Sequence, residues 1–160
     1  MTSRNHSLFV DLAIVLVLAL IAIVGYKYSP LLLPKADLGL TPAAGCNLDQ
    51  QACRAEVPGG GSIELALTPR PVPVVHPFRV QATLSGLSAE RVDIDFAGIT
   101  MDMGYNRLQL SETSAGSYTG QATLPVCVTG QMDWRATLLV ESGGRRIAVP
   151  FVFAAPSGGV

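Results

Sequence analysis

The sequence has little charge and almost no histidine. Only 14% of its 160 residues are charged, and 11 Lys and Arg stand against 12 Asp and Glu, for a net charge of −1. Without an excess of basic residues we expect no nucleic-acid partner. The two histidines are His6 and His76, and no G-x-S-x-G motif or glycine-rich loop before a helix accompanies them. The sequence therefore predicts a protein that is not an enzyme.

One long apolar run lies near the N-terminus. From Leu8 to Tyr26 it covers nineteen residues with a single charge, Asp11. A membrane-crossing helix needs about 20 apolar residues, whereas a cleaved signal peptide has a shorter run followed by a small-residue cleavage site. Bulky residues follow this run. We therefore predict a short tail at 1–7 and a transmembrane anchor at 8–28 that contacts the lipid bilayer, with a removed signal peptide as the alternative.

Three cysteines bear on the compartment. Cys46 and Cys53 flank a polar hexapeptide, and a disulfide that closes so small a loop is sterically reasonable in an oxidising space. Their spacing is not a zinc signature. We predict a Cys46–Cys53 disulfide in an exoplasmic domain, with free thiols or another pairing as the alternative. Cys127 is then left over.

Beyond the predicted anchor, the sequence divides into two regions of different composition and pattern. Residues 29–61 are rich in Pro, Gly and Ala without sustained periodicity, which indicates a tether that holds the disulfide loop. Residues 62–156 alternate apolar and polar positions between turn signals, which is typical of half-buried strands. The predicted strands are 63–67, 80–84, 92–96, 108–110, 118–124, 134–140 and 147–153. Seven short strands without a helical period predict an all-β fold, an immunoglobulin-like two-sheet sandwich after one N-terminal transmembrane helix.

Two positions within the predicted strands have simple interpretations. Asp93 and Asp95 alternate with apolar residues, which places them on an outward, solvated strand face. Trp134 is expected to pack between the two sheets.

Sulfur-bearing residues fall in two connections between predicted strands. Met101 and Met103 lie in the first, and Cys127 and Met132 lie in the second. Thioether and thiolate sulfurs are soft ligands that select Cu(I), and a Met-x-Met pair on an extended segment presents both thioethers on one side. His76 is a further candidate ligand. The alternative is that the methionines fill gaps in the core, their commoner use.

Several of these residues carry a family resemblance. The segment Met101-Asp102-Met103-Gly104, the turn-to-strand element 116–120 and Trp134, together with the anchor, resemble the YtkA-like and FixH-like proteins of bacteria. Those proteins are associated with copper handling and with assembly of membrane-bound cytochrome oxidases. The resemblance implies a Cu(I)-binding or copper-transfer protein. It would be a single-pass protein of the bacterial inner membrane with its C-terminal domain in the periplasm, and its partners would be cytochrome oxidase subunits or another copper chaperone.

Two other functions remain open at this point. One is a metal-free β-sandwich interaction module that docks a membrane protein complex. The other is a thiol partner in which Cys127 forms a mixed disulfide, although no basic residue lies close to it in sequence to lower its pKa. The copper hypothesis depends on the two sulfur-bearing connections meeting at one end of the sandwich.

Overall fold

The computed structural model describes residues 2–32, 36–125 and 132–155. The chain divides into two compact units, Met1–Lys35 and Ala36–Val160. The first unit is the helix α1, Thr2–Leu32, whose side chains are described over residues 11–26. Large apolar side chains are exposed on every side of this stretch, at Leu12, Ile14, Val15, Leu16, Val17, Leu18, Leu20, Ile21, Ile23 and Val24.

The helix of the predicted anchor is confirmed, but its membrane crossing is not. Among the residues that the structure describes, no helix is long and apolar enough to cross a membrane.

The second unit is built from strands. Within its described residues these are β1 (Leu38–Gly39), β2 (Cys53–Glu56), β3 (Ser62–Thr68), β4 (Phe78–Ser85), β5 (Arg91–Gly98), β6 (Arg107–Gln109), β7 (Ser111–Ser114), β8 (Ser117–Ala122), β9 (Met132–Ser142) and β10 (Arg145–Ala155). One sheet has the order β1-β10-β9-β5-β6 and the other has the order β2-β3-β4-β8-β7. Only β1 and β10 pair in parallel; the other pairs within these sheets are antiparallel.

A single hydrophobic core joins the two sheets, and the predicted all-β sandwich is confirmed. Alternate residues of the long strands are buried, as period-two patterning requires. Phe96 of β5 packs edge-to-face against Phe78 of the other sheet, with ring centroids 5.7 Å apart, and against Phe153 of β10 at 6.4 Å. Trp134 is fully buried, as predicted. These aromatic rings fill one end of the sandwich.

The structure differs from the sequence prediction over residues 36–61. This stretch, predicted as tether, supplies a strand to each sheet: Leu38 of β1 lies opposite Ile147, and Cys53 of β2 lies opposite Leu65. Leu48 between them is fully buried. These strands are two and four residues long, too short to carry an alternation that stands out from the surrounding Gly and Pro. Pairing with longer strands creates them.

The predicted disulfide is confirmed between Cys46 and Cys53, whose Cα atoms are 5.4 Å apart. Its loop covers the end of β10, where the Asp49 carboxylate accepts a hydrogen bond from the Ala154 N–H at 3.0 Å. Pro150 offers no N–H on that strand. Because unpaired edge N–H groups invite pairing with other chains, the loop protects an exposed edge of the sandwich.

The prediction for Asp93 is wrong. Its side chain faces outward by strand alternation, yet the residue is only 7% exposed, because it lies between Leu139 and Gln109 in the sheet register. Arg91 donates to one carboxylate oxygen at 2.8 Å, and the other oxygen is buried without a partner among the described residues. Asp95 is half-buried.

Candidate metal site

Two strand ends bring Met132 beside the connection that holds Met101 and Met103. β5 ends at Gly98, and β9 begins at Met132. Gly98 lies opposite Trp134 in the register, and the N–H of Ile99 donates to the Asp133 carbonyl at 2.9 Å. The connection 99–106 therefore leaves β5 directly beside the first residues of β9.

Gly98 is the point of closest approach. A Cβ atom at this position would overlap the Cε methyl of Met132 and the carbonyl oxygen of Met101, and it would lie 3.2 Å from Cγ of Met103. In methionine the sulfur is bonded to both Cγ and Cε. Each of the sulfurs of Met103 and Met132 is therefore one bond away from an atom that contacts the same small volume.

The three methionines differ in exposure. Met132 is 3% exposed and belongs to the core, Met103 is partly buried against it, and Met101 is 44% exposed. The predicted extended Met-x-Met geometry does not occur, because Met101 lies in a bend. Asp102 accepts a hydrogen bond from the Gly104 N–H at 2.9 Å, and Gly104 has a φ of 75°, a turn arrangement typical of Asp and Gly. The structure thus pairs Met103 with Met132 and contributes the backbone of Met101.

The other sheet reaches the same end through the residues around β8. The side-chain amide of Asn106, at the end of the methionine connection, donates to the Thr123 carbonyl at 3.5 Å. The N–H of Val75 donates to the Leu124 carbonyl at 2.8 Å. Val75 has a φ of 54°, a strained conformation for a β-branched residue. His76 follows it and is exposed. We call this end of the sandwich, formed by residues 74–78, 98–106, 122–125 and 132–134, the methionine end.

Two predicted ligands have no described role in this cluster. Cys127 lies outside the described residues. His76 is exposed, and across 2–32, 36–125 and 132–155 no group of three His, Cys, Asp or Glu side chains could hold a metal ion. The sulfur donors that the described residues bring together are thioethers.

Exposed apolar side chains lie at the methionine end. Val75 is 56%, Ile99 41% and Tyr105 83% exposed, alongside Met101. The guanidinium carbon of Arg107 lies 5.8 Å from the centre of the Tyr105 ring, a cation–π distance.

Sequence reasoning missed Gly98. A glycine inside an alternating apolar strand often marks a close backbone approach, and Gly98 closes the run 92–96. The glycine marks where another group approaches the strand, but it does not show which side chains approach.

The opposite end of the sandwich holds two open grooves of about 500 and 460 Å³ that share Ala89, Glu112 and Tyr118. The buried Tyr118 hydroxyl donates to the Ala89 carbonyl at 3.4 Å. Burial raises the pKa of Tyr118 above its usual 10.0, and the nearby Glu112 carboxylate raises this pKa further. Glu90, Arg91 and Glu112 line the first groove, and Glu112 is the charged residue that lines the second. This lining selects no ligand class.

Comparison with known proteins yields little. No protein family and no curated protein matches this chain. One solved structure with a similar chain is the crystal structure of an engineered protein, 18% identical, which matches 62% of this chain and 21% of its own with a TM-score of 0.46. The chain spans about a fifth of that protein's length. At this TM-score the likeness carries no argument about fold or function.

Proposed function

We propose that this chain is a membrane-tethered periplasmic protein whose immunoglobulin-like sandwich binds Cu(I) at the methionine end and hands it to an acceptor. The family resemblance of the Met101–Gly104 segment extends the proposal to assembly of a cytochrome oxidase in the bacterial inner membrane. Oxidase subunits or another copper chaperone would be the acceptors. The protein is not proposed to catalyse a reaction.

The observation that carries the proposal is the contact of two thioether side chains with Gly98. Met103 comes from the connection after β5 and Met132 from the first position of β9, twenty-nine positions apart in the sequence, yet both border the volume that a Cβ there would take. Methionine commonly fills irregular gaps in a core. Two thioethers at one gap, with a third methionine exposed beside them, fit a soft-ion site better.

The donor set fits Cu(I) in its chemistry. Thioethers are soft, uncharged donors that suit Cu(I), whereas Zn²⁺ and Cu(II) sites are commonly built from imidazole, thiolate or carboxylate. Neutral donors leave the positive charge of the ion uncompensated, which favours release to a stronger ligand set. The exposed Met101 gives such an acceptor a place to begin ligand exchange, and Cys127 and His76 are further proposed ligands.

The compartment is argued from two features. The Cys46–Cys53 disulfide suits an oxidising space. The apolar run 8–26 and the exposed apolar side chains of α1 support an anchor in the lipid bilayer. A tether of this kind raises the effective concentration of the domain near membrane-embedded acceptors. The anchor is proposed from the sequence rather than found in the structure.

A second function is favoured by the exposed apolar residues. Val75, Ile99 and Tyr105 are exposed at the methionine end, and exposed apolar patches commonly mark sites that bind other proteins. In this alternative Met103 and Met132 are core residues only, and the methionine end binds a membrane protein complex without metal.

A competition titration separates the two functions. The full chain in detergent is offered Cu(I) under ascorbate against a coloured chelator, beside Met103→Leu and Met132→Leu. We expect the wild type to remove Cu(I) from the chelator and both variants to bind it more weakly. Ile99→Leu is the matched control, because it changes an apolar residue of the same end and keeps every sulfur. A wild type that takes no Cu(I) ends the copper proposal and leaves the docking module.

A further inference from the structure

Gly98 occupies an unusual place for a strand glycine. Its φ lies outside the left-handed region, so backbone conformation does not demand glycine there. The reason for glycine is space. The Met132 methyl, the Met101 carbonyl and Met103 Cγ together fill the volume of the absent side chain.

We infer that Gly98 is the positioning residue of the copper site, and that Met103 and Met132 form the ligand pair that it sets in place. This inference rests on the proposed function and deepens it, because it assigns different roles to the three methionines. Met101 contributes its backbone to the cradle and keeps its thioether exposed for the incoming or outgoing ion.

The geometry argues for this division in two steps. First, the three atoms nearest to a Cβ at Gly98 belong to the side chains of Met132 and Met103 and to the carbonyl of Met101, and the Met101 side chain is 44% exposed. Second, Met132 is buried and starts β9, where it lies opposite Ala155 of β10, and the pairing of β9 with β5 begins two residues later at Trp134. A ligand on a paired strand has a fixed backbone, and such ligands give more precise sites than ligands on loops.

An alanine at Gly98 tests the inference because its single methyl would displace the Met132 methyl. The chain offers a matched control in Gly120 of β8. A Cβ at Gly120 would crowd the flexible ends of Leu108 at 2.8 Å and Leu110 at 2.7 Å, with no methionine among its nearest atoms. Both substitutions add a methyl group inside a strand. Gly98→Ala meets the Met132 methyl and the backbone carbonyl of Met101, whereas the atoms nearest to the new methyl of Gly120→Ala are flexible leucine ends. Gly120→Ala therefore controls for crowding inside a strand without disturbing a thioether.

The experiment measures Cu(I) affinity by chelator competition and thermal unfolding for the full-length wild type, Gly98→Ala and Gly120→Ala in detergent. We expect both variants to lose some thermal stability. Gly98→Ala should also lose about ten- to a hundredfold in Cu(I) affinity, the range found when a residue that orients metal ligands is changed, and Gly120→Ala should keep the wild-type affinity. Equal affinities of the two variants, with a wild type that binds, would overturn the positioning role alone. A wild type without copper binding would overturn the proposed function with it.

A second measurement uses only the wild-type protein, so it tests the inference even if the Gly98→Ala variant does not fold. In wild-type protein labelled with ¹³C at the methionine methyls, nuclear Overhauser effects should connect the Met132 methyl with the Gly98 Hα protons and with the Met103 side chain. Both contacts should persist when Cu(I) is added. Their absence from the folded, metal-free protein would contradict the inference.

Discussion

The two ends of the sandwich are closed by different chemistry. At the β9–β10 hairpin, Arg146 bonds Glu141 with Nη2 to Oε1 at 2.6 Å, and the Arg146 N–H donates to the Asp37 carboxylate at 2.8 Å. Nearby, Ser142 donates to the Ser88 carbonyl at 2.6 Å. The methionine end is closed instead by aromatic rings, two thioethers and exposed apolar side chains. We call the first of these the hairpin end.

The difference shows which end needs a functional explanation. Ion pairs and hydrogen bonds at the hairpin end satisfy polar groups that strand termini leave open. The methionine end has exposed Met101 and Tyr105 and a strained Val75, none of which the closure of a core requires. Strain and exposed apolar surface occur where a protein binds something.

The largest expected effect on the free energy of unfolding comes from removing a buried aromatic ring at the methionine end. Phe96→Ala removes a fully buried ring with two edge-to-face partners, and it should lower the free energy of unfolding by about 3–5 kcal/mol. Chemical denaturation measures this. Val152→Ala, at an exposed position on β10, is the control and should have little effect. A loss for Phe96→Ala as small as that of the control would mean that this end is loosely packed.

The next effect concerns the disulfide loop that covers the β10 edge. Replacing Cys46 and Cys53 together by Ser should lower the free energy of unfolding by about 2 kcal/mol, since the closed loop is short. It should also expose the Ala154 N–H group, which in the intact loop donates a hydrogen bond to the Asp49 carboxylate. Denaturation and amide exchange at Ala154 measure the two consequences. If the free energy of unfolding falls but amide exchange at Ala154 does not change, the disulfide does not protect this edge.

A smaller stability effect is expected for the thioether pair. The double variant Met103→Leu with Met132→Leu conserves volume, so it should cost less than about 1.5 kcal/mol of unfolding free energy per site. The same variant should lose Cu(I) binding. A large loss of stability without any copper binding by the wild type would assign both methionines to the core alone.

The smallest expected effect on stability concerns Tyr118 at the hairpin end. Because its pKa is raised in the folded protein, the protonated phenol stabilises the fold. This contribution is complete below about pH 10, the unfolded pKa, and is lost as the pH rises through the folded pKa. The stability difference between wild type and Tyr118→Phe should therefore fall above pH 10.

Denaturation from pH 8 to 11 measures this difference. Glu112→Gln removes the neighbouring charge that raises the pKa of Tyr118 further, so it should weaken the pH dependence. A difference that stays constant with pH would show that Tyr118 ionises equally in both states.

The sequence predicts the long strands of this fold well because each buries one face. Val80, Ile94 and Val149 mark β4, β5 and β10 by alternation, and all are buried. It does not predict β1 or β2, which exist only because β10 and β3 offer partners. The polar strand β7 is exposed throughout, so it has no alternating apolar residues from which it could be predicted.

The candidate site is predictable only in composition. The two sulfur-bearing connections can be read from the sequence, and Met103 and Met132 do come together. The role of Gly98 and the outward position of Met101 follow from a bend and a register that no local pattern encodes. Asp93 teaches the same lesson, since only its neighbours in the sheet bury it.

The most direct test of the account follows the methionine methyls during a titration with Cu(I). The full chain carries ¹³C at its methionine methyls and a Cys127→Ser substitution, so that the Cys127 thiolate does not compete with the thioethers. We predict that the Met103 and Met132 resonances shift together and reach their end points at one equivalent of Cu(I). If the Met103 and Met132 resonances do not shift and the Cu(I) stays bound to the chelator, the account is contradicted.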